Sequence, residues 1–146
     1  MGTLLAIAQR KKTKAPMECL DETTISFSNG VGTDSRGKKQ GKRQVTVLTK
    51  ESWDKASELN GSEIPWTTRR ANLLISGFNL ENSTGKHLII GDVKLEITGE
   101  LEPCKRMDEQ VEGLTQILTP YWRGGVCCKI ISEGKISIGE TVTLTE

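Results

Sequence analysis

Leu88-Ile89-Ile90-Gly91-Asp92-Val93-Lys94-Leu95-Glu96-Ile97 reads as a hairpin that turns at Gly91-Asp92. Leu88, Ile90, Val93, Leu95 and Ile97 fall at positions that pack inward together. The pattern recurs on both sides. Toward the C-terminus a second hairpin is expected over residues 126–131 and 135–144, turning around Glu133-Gly134, with a bulge at Gly139-Glu140. Toward the N-terminus strands are expected over 3–8, over 23–28 where Ile25 and Phe27 alternate with polar residues, over 44–48 and over 71–75. The polar, glycine-rich run 30–41 is expected to be a loop.

Two stretches change period. Thr49 has the chemistry of an N-cap for a helix through Trp53, Ala56 and Leu59, which Asn60-Gly61 ends. Val111, Leu114 and Leu118 keep helical spacing after Asp108, although Gly113 costs that helix about 1 kcal/mol relative to alanine. Pro120 stops it. Many short strands and two or three short helices predict a mainly β domain, a barrel or a sandwich.

A chain of 146 residues is the size of one domain, and residues 1–146 are read as such. Twenty Lys and Arg against nineteen Asp and Glu leave a net charge of +1, which argues against a general polyanion binder and makes any basic surface local. The four cysteines, Cys19, Cys104, Cys127 and Cys128, form no Cys-x-x-Cys, and His87 is the one histidine, so a structural zinc site is disfavoured. Cys127-Cys128 should alternate across a strand, one buried and one exposed; no role is assigned to His87, Cys19, Cys127 or Cys128. Cations follow the apolar N-terminal run rather than precede it, the reverse of a secretory signal, and no apolar run approaches membrane-spanning length. A reduced, cytoplasmic protein is expected, with free thiols.

Glu100-Leu101-Glu102-Pro103-Cys104-Lys105-Arg106-Met107-Asp108-Glu109 carries the candidate chemistry. Glu102-Pro103 ends a strand in extended conformation, so the thiol falls on a connector before a helix. Adjacent cations and a helix start favour a thiolate, the form that attacks sulfur or binds metal. Glu100, Glu102, Asp108 and Glu109 act in the opposite sense. An inert buried thiol is the alternative.

The blocks Lys42-Arg43-Gln44-Val45-Thr46-Val47-Leu48, Arg69-Arg70-Ala71-Asn72-Leu73-Leu74-Ile75, Gly91-Asp92-Val93, Glu102-Pro103-Cys104 and Arg123-Gly124-Gly125-Val126 run in an order that resembles a small stand-alone MOSC domain. This is the C-terminal domain type of molybdenum cofactor sulfurases, and the likeness covers about 30–143. It implies a β-barrel, with the cysteine and basic blocks gathered in a pocket at one end. The chain departs from the family in the first loop, where Thr33 stands in a place often taken by glycine.

The resemblance implies a site in which Cys104 is the catalytic residue or the ligand to molybdenum, and Arg36, Arg70, Asn72 and Arg123 hold the molybdenum cofactor. Guanidinium forks suit its phosphate, thiolate suits the metal, and an amide suits the pterin edge. Two functions follow. One is reduction of N-hydroxylated compounds with an electron-donor protein. The other is persulfide carriage by Cys104, supplied by a cysteine desulfurase, since the pyridoxal-phosphate domain of full sulfurases is not expected in this chain. An RNA-binding barrel is the remote alternative, disfavoured because the run 35–43 has five cations and no aromatic ring.

Overall fold

A computed structural model describes residues 1–12, 15–35, 37 and 41–146. Its elements are β1 (Gly2–Gln9), β2 (Glu18–Leu20), β3 (Glu22–Ser26), β4 (Gly30–Val31), β5 (Val45–Thr49), α1 (Lys50–Asn60), β6 (Leu73–Ser76), β7 (His87–Ile90), β8 (Val93–Glu100), α2 (Arg106–Gln110), α3 (Leu114–Leu118), β9 (Val126–Ser132), β10 (Gly134–Ser137) and β11 (Thr141–Thr145). Short 3-10 turns cover Trp66–Arg69 and Pro120–Trp122.

Seven strands form a closed barrel in the order β11-β7-β8-β9-β5-β6-β1, sealed where Gly2 pairs with Val142 and Thr3 with Thr141. The expected mainly β fold is therefore a barrel and not a sandwich. The 88–97 hairpin sits inside it as expected, with Ile90 paired to Val93. Leu88, Ile90, Val93, Leu95 and Ile97 all lie in the interior core with Leu4, Ile7, Val47, Leu73, Ile75, Val126 and Ile130. β2 extends β1, and β10-β3-β4 form a separate three-stranded sheet.

β5 and β6 run parallel, so their connection must cross over the outside of the barrel. α1 provides the crossover. Thr49 Oγ1 accepts from Ser52 N at 3.2 Å as the expected cap, which contributes about 1 kcal/mol. Gly61, at φ 83, ends the helix. Trp53 and Ala56 face the outward side of β5 and β6, where Leu48 and Leu74 join Met107, Leu114 and Leu118 in a second core. These two strands are buried on both faces, apart from Ser76, because one face fills the barrel and the other seats the helices.

Three expectations are corrected. The single helix after Asp108 is two, because Gly113 takes φ 81 and turns the chain between α2 and α3. The final strand over 135–144 divides at Gly139: β10 leaves to pair with β3, and β11 closes the barrel. Cys127 and Cys128 are both buried, Cys128 in the interior and Cys127 with its Sγ 3.9 Å from the Glu100 carbonyl, where the chain leaving β8 covers it. Strand alternation sorted their directions but not what lies outside the barrel. The sequence reading also missed β2, and β4 falls inside the expected loop.

Candidate functional site

Leu73 pairs with Val47, Val47 with Val126, and Val126 with Glu100. The segments before β6, before β9 and after β8 thus flank one hydrogen-bonded row across four strands. They are the Arg69–Asn72, Arg123–Gly125 and Glu100–Cys104 segments.

Arg69 ties them together. It is only 6% exposed, and its guanidinium donates from Nε to the Gly124 carbonyl at 2.8 Å and from Nη2 to the Leu101 carbonyl at 2.6 Å, with Nη1 3.9 Å from Met107 Sδ. Gly124 must lack a side chain here, since a Cβ would meet the Leu101 oxygen at 2.8 Å and Arg69 Nη2 at 3.0 Å. Gly125, at φ 98, passes so close to Val47 that a Cβ would overlap its carbonyl. The Arg-Gly-Gly turn is therefore shaped by the close approach of the Arg69 and Leu101 segments.

Cys104 lies on the connector expected after Pro103, and it is exposed, not buried. Its carbonyl accepts from Met107 N at 2.9 Å and Thr115 Oγ1 at 2.7 Å, so α2 and α3 hold its backbone while the thiol has no hydrogen-bond partner among the described residues. Glu100 lies at the end of β8; burial, reinforced by Glu102 and opposed by Arg69, raises its carboxyl above the ordinary range.

The other expected site residues differ in what their side chains do. Arg70 takes a left-handed conformation at φ 64, half-buried, with its N–H on the Thr67 carbonyl at 3.0 Å. Asn72 is 2% exposed and is engaged inside the wall: Oδ1 accepts from Thr46 N at 3.1 Å and Thr46 Oγ1 at 3.2 Å, and Nδ2 donates to the Ala8 carbonyl at 3.2 Å. Its amide joins β1, β5 and β6. Arg123 donates from Nη1 to the Ile117 carbonyl at 3.0 Å and lies 5.1 Å from the Tyr121 ring centre, beside a groove that Cys104 does not line. Arg36 lies outside the described residues. The sequence places Arg69 with Arg70 in a basic block suited to an anion, whereas its guanidinium is buried on the Gly124 and Leu101 carbonyls. Two consecutive arginines offer no local signal for which one turns inward.

A family model described as the MOSC domain matches residues 22–143. This chain belongs to the MOSC domain family. Its barrel is similar to that of the YuaD protein from Bacillus subtilis, at 16% identity over 99% of this chain and 96% of that one, with a TM-score of 0.82. YiiM from Geobacillus stearothermophilus is similar at 13% identity, covering 100% of this chain and 76% of that one, TM-score 0.79. YiiM from Escherichia coli follows at 15% identity, 99% and 70% coverage, TM-score 0.72. Among curated proteins none matches.

The MOSC family is associated with the molybdenum cofactor, and the residues expected to hold it in this member fit that group unevenly. Cys104 offers a soft, accessible sulfur for the metal. Toward the anion and pterin end, Arg70 is half-buried with no side-chain hydrogen bond or ion pair among the described residues, whereas the Asn72 amide is engaged in the barrel wall and Arg123 turns toward Ile117 and Tyr121. Among the described residues no helix is long and apolar enough to cross a membrane.

Proposed function

We propose that this MOSC domain carries activated sulfur on Cys104. The observation supporting this reading is the combination of an exposed thiol with a fixed main chain: α2 and α3 hold the Cys104 carbonyl, and Arg69 anchors Leu101 three residues upstream. Persulfide transfer requires an accessible nucleophile presented to a partner, and an enclosed pocket is not needed.

In the loading step the Cys104 thiolate attacks the outer sulfur of a persulfide on a donor protein such as a cysteine desulfurase. The new bond joins Cys104 Sγ to that sulfur, the donor's sulfur–sulfur bond breaks, and the donor cysteine leaves as thiolate. One sulfur moves, and no external oxidant or reductant is consumed.

Intact mass spectrometry after incubation with a desulfurase and cysteine tests the reading. One added sulfur atom is expected on wild type and on Cys19→Ser, and none on Cys104→Ser. Equal loading of Cys104→Ser would assign the sulfur to the other exposed thiol, Cys19, and end the proposal.

Family membership favours a second reading, in which Cys104 is the molybdenum ligand of a reductase for N-hydroxylated compounds served by an electron-donor protein. When bound, the cofactor would supply two-electron redox chemistry. Native mass spectrometry of the untreated protein separates the readings, since a bound pterin with molybdenum would displace the carrier.

A further inference from the structure

An open groove of about 450 Å³ lies between the start of α1, the chain after β6 and the turn before β9. α3 separates it from the Cys104 connector: Thr115 of α3 holds the Cys104 carbonyl, and the Ile117 carbonyl receives Arg123. The volume is in the range of small-molecule sites, roughly 300 to 1,000 Å³.

The turn before β9 is built in an unusual way. Tyr121 and Trp122 are both left-handed, at φ 58 and 56, a conformation that bulky residues adopt only where the surroundings enforce it. The result is a division of two neighbouring rings. Trp122 packs against the barrel core, whereas Tyr121 is turned out, 67% exposed, into the groove. Nothing in core packing needs Tyr121 there.

Charge in the groove is unbalanced toward positive. The Glu51 carboxylate already accepts the Gly77 N–H at 2.8 Å. Lys55 has only a loose, exposed pairing with Glu58 at 3.6 Å, which holds it weakly. Arg123 uses one donor on Ile117 and sets its guanidinium against the Tyr121 ring, leaving further N–H groups without an acceptor among the described residues. Ser52 adds a hydroxyl on the first turn of α1.

We propose that this groove binds a small ligand composed of a flat aromatic ring and one anionic group. The ring stacks on Tyr121, with Phe78 at its edge, and the anion lies between Arg123 and Lys55. This site is independent of Cys104 and does not rest on the sulfur-carrier reading.

Amide NMR titrations of the full chain test it, with phenyl phosphate and benzoate as probes and with benzyl alcohol and inorganic phosphate as half-ligands. Saturable shifts at Ser52, Gly77 and Arg123 are expected for both aromatic anions, with each half-ligand binding at least about tenfold more weakly. The stronger of the two aromatic anions identifies the natural group as phosphate or carboxylate. Tyr121→Gly should lose affinity by about tenfold without a lower melting temperature, because glycine accepts the positive φ. Arg123→Gln should lose a similar factor. Absence of saturable shifts at millimolar probe, inorganic phosphate binding as well as phenyl phosphate, or undiminished binding by Tyr121→Gly would each overturn the proposal.

Discussion

Arg69 Nη2 donates to the Leu101 carbonyl at 2.6 Å, joining positions 32 residues apart and fixing the start of the connector that carries Cys104. The same guanidinium holds Gly124, so one buried cation sets the relative position of three chain segments. Arg69→Ala leaves two buried carbonyls without their donor. Each charged hydrogen bond is worth roughly 1.5 to 3 kcal/mol, so a loss of about 3 kcal/mol or more is expected in chemical denaturation. Arg69→Lys should recover only part of it, because an ammonium on that stem cannot reproduce the fork.

Asn72 and Arg70 should separate cleanly. Asn72→Ala removes three hydrogen bonds inside the wall and is expected to destabilise by about 2 to 4 kcal/mol. Asn72→Asp keeps the acceptor for Thr46 but sets a buried carboxylate oxygen against the Ala8 carbonyl, and should be less stable than the alanine variant. Arg70→Ala, at a half-buried side chain, should stay within about 0.5 kcal/mol. Denaturant midpoints for the three variants check the order.

Thiol labelling should report the burial pattern. In the native protein alkylation should reach Cys19 and Cys104 and spare Cys127 and Cys128. Burial holds the Cys128 thiol far above its ordinary value, with Cys127 adding to the effect, so raising the pH moderately should not expose it as thiolate. Labelling of all four only in denaturant is the expected result, read by peptide mass spectrometry.

Glu100 should leave a mark on the pH dependence of stability. Its carboxyl is raised in the folded state, mainly by burial, so between its unfolded and folded values the native state binds more protons. Stability from this group is therefore present below the ordinary glutamate range and is lost as pH rises through the raised value. Glu100→Gln removes the dependence. The melting temperature of the variant relative to wild type is expected to increase across that window and then level off; a flat difference would show that Glu100 is as well solvated folded as unfolded.

The strands of the barrel, the Thr49-capped helix and the connector that carries Cys104 were legible in the sequence, because alternation, capping and proline restriction act over a few residues. Apolar alternation over 88–97 marked the residues that fill the core. Tertiary structure alone decided closure of the sheet, which depends on β1 meeting β11 from the two ends of the chain. It also decided that Arg69 and not Arg70 turns inward, since the choice depends on carbonyls at Leu101 and Gly124 that no local pattern brings near. The same reason holds for Asn72 and Arg123. Their residue types allowed a ligand role, but which atoms satisfy an amide or a guanidinium is set by the strands and helices that pack around them, and those contacts are distant in sequence.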